Sequence, residues 1–115
     1  MKVFISQPMH GLTDEEILKR RKELIETIKD RFGDNVEIID SFTKSPELIA
    51  KGRIAMLGDS IQLMADADVV FFANGFLLSS GCRTEHFVAT VYHIPMMFES
   101  DVWPGTGYAL VNKEN

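Results

Sequence analysis

The stretch Asp68-Val69-Val70-Phe71-Phe72-Ala73, followed after a short loop by Ser79-Ser80-Gly81-Cys82-Arg83-Thr84-Glu85-His86, decides how the chain is read. The first segment is almost entirely apolar, which predicts a strand buried on both faces, as in a parallel sheet. The second predicts the opening of a helix. Glu85 is then expected on the first turn of that helix, at the carboxyl end of the buried strand. Open α/β sheets bind their ligands at that position. Small hydroxyls and a glycine at Ser79, Ser80 and Gly81 would leave backbone N–H groups free to hold an anion such as a phosphate. The same residues also fit an ordinary surface loop with a solvated Glu, so the remainder of the chain must choose.

Upstream, Lys2–Ser6 (KVFIS) reads as a short buried strand. Gln7-Pro8-Met9-His10-Gly11 ends it with Pro and Gly. Thr13 and Glu16 form a capping box that predicts a helix to about Phe32, with Gly33 as its stop. Ile17, Leu18, Leu24, Ile25, Ile28 and Phe32 form its apolar stripe. Val36–Ile39 predicts a second strand. Ser45-Pro46 is an N-cap with Pro at the first helical position, and helical character runs towards Ala65 with breaks expected near Gly52 and Gly58. A helix over about 83–92 and a strand over 94–98 follow, and Tyr108–Val111 suggests an edge strand. The order β-α-β-α-β-α-β with right-handed crossovers predicts an α/β fold: a small doubly wound, flavodoxin-like parallel sheet of four to five strands with helices on both faces. The Gln7–Leu12 and Asn74–Glu85 loops would then face each other across one cleft.

The chain has 115 residues, enough for one domain spanning 1–115. Its net charge of −5 argues against a broad nucleic-acid-binding face, which needs a basic patch. A local nest of N–H groups can still hold a small anion on an acidic protein. The lone Cys82 allows no intrachain disulfide. No signal peptide is read at the start and no apolar run nears the roughly 20 residues of a membrane span. A cytoplasmic protein with no metal and no cofactor is the expectation.

Each candidate group has a plainer reading. Glu85 near a helix start should be favoured as the anion, hence a nucleophile or base, which suits attack on a glycosidic carbon; the plainer role is helix capping. Arg83 would support a phosphate or be solvated. His10 and His86 titrate near neutrality and suit acid–base work, but they lack metal-ligand spacing. Cys82 reads as a small, half-buried residue, and Met56, Met64, Met96 and Met97 as core or subunit-contact residues.

Phe4-Ile5-Ser6-Gln7-Pro8-Met9-His10-Gly11, Ala67-Asp68-Val69-Val70 and Gly81-Cys82-Arg83-Thr84-Glu85-His86, followed by Ala89 and Ile94-Pro95, together resemble the nucleoside 2-deoxyribosyltransferase-like superfamily. They are most similar to a small branch common in phage and bacterial genomes. The resemblance implies a doubly wound sheet and cleavage of an N-glycosidic bond in a (deoxy)nucleoside or its 5′-monophosphate. It places Glu85 on the nucleophile. Ser79 falls where relatives acting on free nucleosides tend to carry Asp and relatives acting on monophosphates carry Ser, which tilts the substrate towards a nucleotide. The Gln7, Pro8, Met9, His10 and Gly11 loop would close over the sugar, and Ser79, Ser80, Gly81 and Arg83 would hold phosphate. Two departures stand out. Phe4 occupies the position of a Tyr that holds the nucleophile in active relatives. Ser60, with Asp59 beside it, occupies that of an Asp thought to protonate the leaving base. The alternative the departures favour is a non-catalytic binder that sequesters a nucleotide or nucleotide-derived signal; a purely structural assembly module is a third. The resemblance also implies a homo-oligomer, with Trp103–Tyr108 near the contact.

Overall fold

The computed structural model describes residues 1–42 and 45–100. Its elements run β1 (Lys2–Ser6), α1 (Asp14–Phe32), β2 (Glu37–Ile39), α2 (Pro46–Lys51), α3 (Arg53–Met64), β3 (Val69–Phe72), a 3₁₀ turn (Phe76–Leu78), α4 (Ser80–Val91) and β4 (Met96–Phe98). The four strands form one parallel sheet in the order β2-β1-β3-β4. This is the doubly wound α/β arrangement expected, with the order in which strands are added switching sides between β1 and β3. The suggested strand at Tyr108–Val111 and the segment Trp103–Tyr108 lie outside the described residues.

Side chains on successive strand residues point to opposite faces, and the core divides accordingly. Val3, Ile5, Val69 and Phe71 pack with Leu24 and Ile28 of α1. Phe4, Val70 and Phe72 pack with Met64 of α3 and with Cys82 and Ala89 of α4. Helices therefore cover both faces. Every residue of β3 is buried, as its unbroken apolar run requires.

Three local expectations are corrected. Leu18 belongs to the predicted apolar stripe of α1 but is exposed, whereas Arg21 is 6% exposed. Arg21 shares a face with Ile17, Leu24 and Ile28, and its guanidinium finds acceptors there: Nη1 donates to Gln7 Oε1 at 3.3 Å and Nη2 to the Ile39 carbonyl at 2.9 Å. The segment after Pro46 breaks at Gly52 alone, and α3 runs straight through Gly58. Finally, α4 begins at Ser80, about one turn earlier than expected, because Ser79 caps it: Cys82 N–H donates to Ser79 Oγ at 3.3 Å and Arg83 N–H to the Ser79 carbonyl at 2.9 Å. A 3₁₀ turn fills what read as plain loop.

Candidate active site

The carboxyl ends of β1 and β2 open into a cavity of about 420 Å³, a size that suits a nucleotide-sized ligand. Its walls come from β1 and the loop after it (Ile5, Gln7, Met9, His10, Gly11), the start of α1 (Asp14, Ile17), the chain after β2 (Ser41, Phe42), α2 and α3 (Ile49, Arg53, Met56, Leu57, Ser60), and the start of α4 (Ser79, Gly81, Cys82, Glu85). The two loops predicted to face each other do line this one space.

Glu85 sits at its base. With α4 starting at Ser80, Glu85 falls on the second turn, beyond the reach of the helix dipole, which fades within the first. The carboxyl is only 7% exposed. Ser6, the last residue of β1, donates its hydroxyl to Glu85 Oε1 at 2.6 Å. Burial pushes the carboxyl up to about 7, with the Ser6 hydrogen bond holding it down in part. Desolvation, and not the helix dipole on which the sequence argument rests, thus sets the protonation of this group. At neutral pH the group is poised between acid and base rather than held as an anion.

Cys82 is buried against Ser6 and Ser79, and burial pushes its thiol up, opposite to what an activated thiolate needs. Gln7 lines the cavity, but its amide is engaged with α1: Nε2 donates to the Ile17 carbonyl at 3.2 Å while Oε1 accepts from Arg21. It braces the loop. Burial lowers the Arg21 guanidinium and Asp40 opposes that shift; the group remains a cation all the same.

Several expected residues stand elsewhere. Phe4 is wholly buried in the core and does not line the cavity. Ser6, two residues on and on the same side of the strand, supplies the hydroxyl that Phe4 lacks. Ser60 is on the wall and Asp59, one helical step round, is not. Pro8 is off the wall too; a Cβ on Gly75 would stand 3.8 Å from its ring. Arg83 is exposed and also off the wall. In its place Arg53, the first residue of α3, lines the cavity and donates from Nη2 to Ser80 Oγ at 3.0 Å. The N–H groups of Ser80 and Gly81, in the first turn of α4, have no backbone acceptor among the described residues. His86 belongs to an aromatic cluster, its ring 5.2 Å from Phe72 and 5.5 Å from Phe76, and has no place in the cavity.

Ser6, which holds Glu85, and the cavity residues Arg53 and Ser41 are not among the site residues to which the sequence points. Ser6 was visible only as part of a strand. Arg53 becomes a candidate once Gly52 alone is seen to break the helix. Ser41 carries no local signal at all. Among the described residues no three His, Cys, Asp or Glu side chains are grouped to hold a metal ion, and no helix is long and apolar enough to cross a membrane. No family model, curated protein or solved structure matches the chain.

Proposed function

We propose that the chain is an N-glycosidase of the nucleoside 2-deoxyribosyltransferase-like kind, acting on a (deoxy)nucleoside 5′-monophosphate. The observation that carries this reading is the Glu85 carboxyl at the base of the cavity, one oxygen held by Ser6. Ionised Glu85 attacks the anomeric carbon with its other oxygen. The carbon–nitrogen bond breaks, its electron pair goes to the base, and the base takes up a proton as it leaves. Water or a second base then displaces Glu85 from the glycosyl ester. The transition state has oxocarbenium character, which a nearby carboxylate stabilises. The substrate phosphate sits at the start of α4, where the Ser80 and Gly81 N–H groups and the helix dipole favour an anion, with Arg53 rather than Arg83 as the cation.

Base release tests it. The protein is incubated with nucleosides and their 5′-monophosphates, with Glu85→Gln as control, and products are separated by chromatography. Free base from a monophosphate, lost in the Gln protein, is the expected result. No release from any member overturns the catalytic reading.

A specific observation favours a second reading, binding without turnover. Ser60, not Asp59, stands on the wall, so the position at which the resemblance places the proton donor carries no carboxyl group, and the only carboxyl besides Glu85 among the described lining residues is Asp14 of α1. A nucleotide retained through purification, with no base released, would support a sequestering protein.

The reading extends to assembly. Arg83, Phe87, Thr90 and Val91 form an exposed stripe along α4 at helical spacing, with Leu78 before it and Tyr92 after it exposed as well. A second copy of the chain covers this face.

A further inference from the structure

Ser41 is the one buried side chain among the described residues whose polar atom has no hydrogen-bond partner. It is 6% exposed and lines the cavity. A buried hydroxyl left unpaired is costly and calls for an explanation. The register supplies its address. Phe4 pairs with Ile39, the last residue of β2, and Ser41 follows two residues later, at the carboxyl end of the strand that lies beside β1, whose last residue Ser6 holds Glu85. Neighbouring strands lie about 4.8 Å apart. On the other side of β1 is β3, whose loop leads to the start of α4. Ser41 and the anion-binding end of α4 thus flank the Ser6–Glu85 pair from opposite sides. Phe42, next in the chain, and Ile49 of α2 add apolar surface to the same cavity.

From this arrangement we infer that Ser41 is a specificity residue whose hydroxyl pairs with the polar edge of the ligand's heteroaromatic base. This deepens the reading proposed above and rests on it. A ligand with its anomeric carbon at Glu85 and its phosphate at α4 directs its base towards β2. There an apolar wall meets the base and one hydroxyl meets its edge, the usual composition of a selective small-molecule site. A hydroxyl both donates and accepts, so it pairs with either a carbonyl or an amino group on that edge.

The test compares ligands with and without a base, in a Glu85→Gln background that prevents turnover. Affinities for a panel of 2′-deoxynucleoside 5′-monophosphates and for 2-deoxyribose 5-phosphate are measured by calorimetry, with and without Ser41→Ala. The expected result is a loss of roughly tenfold for the nucleotide that binds, the equivalent of one hydrogen bond, and no change for the sugar phosphate. The unliganded Ser41→Ala protein should melt no lower than its parent, because the substitution removes an orphaned group. Equal losses for both ligands, no loss for either, or a lowered melting temperature would overturn the inference while leaving the glycosidase reading intact. Failure of the Glu85→Gln parent to bind any nucleotide overturns both, and is read before Ser41 is touched.

Discussion

The proposed chemistry turns on one buried carboxyl, and its protonation has a consequence for folding that needs no substrate to observe. In the unfolded chain Glu85 titrates at its ordinary value of 4.5; in the folded chain burial raises it to about 7. Between those values the native state keeps a proton that the unfolded state releases, so stability falls as pH rises through this window and levels off above it. The difference corresponds to roughly 3 kcal/mol. Glu85→Gln keeps an acceptor for Ser6 and removes the titration. Its melting temperature should exceed that of the parent at pH 8, and the gap should close on approaching pH 5; a gap independent of pH would show that Glu85 does not titrate in this window. The same titration makes base release climb with pH to a plateau above about 7, since the neutral carboxyl cannot attack. Glu85 was legible in the sequence because a strand, a small-residue loop and a helix are local patterns. Its ionisation was not, because one turn of extra helix and the closure of the cavity set it. Ser6 and Ser41 were illegible for a related reason: they come together through the side-by-side pairing of β1 and β2, which joins segments far apart in the chain.

At the scale of elements, the break between α2 and α3 aims a cation at the cavity. Gly52 has φ 98° and ψ −172°, a region open in practice only to glycine. The break makes Arg53 the first residue of α3, from which its guanidinium reaches Ser80. Gly52→Ala should therefore cost about 1–3 kcal/mol of stability, measured by urea denaturation. It should also weaken binding of a nucleoside monophosphate more than that of the free nucleoside, as Arg53 leaves the phosphate. Gly58 provides the contrast. It lies within α3, and an added Cβ would meet nothing within 4 Å. Gly58→Ala should stabilise the protein by up to about 1 kcal/mol. Destabilisation by both substitutions to the same extent would mean that Gly52 has no special conformational role. The sequence named both glycines as breaks; only the backbone angles separate them, and the packing of α2 and α3 around the cavity fixes those angles. The capping box of α1 was fully legible, by contrast. Thr13 Oγ1 accepts from Glu16 N–H at 3.1 Å and Glu16 Oε1 from Thr13 N–H at 2.9 Å, because all its partners lie within four residues.

For the molecule as a whole, the strand order and the two-faced core were legible because each helix and strand carries its own period and right-handed crossovers leave few topologies. How one copy meets another is not written in periodicity, yet the surface suggests where. The chain carries net charge −5, so copies repel over most of their surface. Along the outer stripe of α4 the exposed large side chains are Phe87 (66% exposed) and Val91 (49%), with Tyr92 (74%) just beyond, and Arg83 is the only exposed charge on that helix. The proposed two-fold contact would set the same stripe against itself, burying aromatic and aliphatic area without opposing carboxylates. The cavity is built from the sheet-facing side of this helix, through Cys82 and Glu85, so association on the outer side leaves the site open. Light scattering at micromolar concentration should give twice the chain mass. Phe87→Glu places two like charges across the two-fold axis, which costs several kcal/mol, and should yield the single-chain mass with the fold retained by circular dichroism. A parent that is already monomeric removes the case for assembly. A dimer that survives Phe87→Glu moves the contact to another face, since a carboxylate at the centre of an apolar stripe has no counter-charge within reach except Arg83, one turn away.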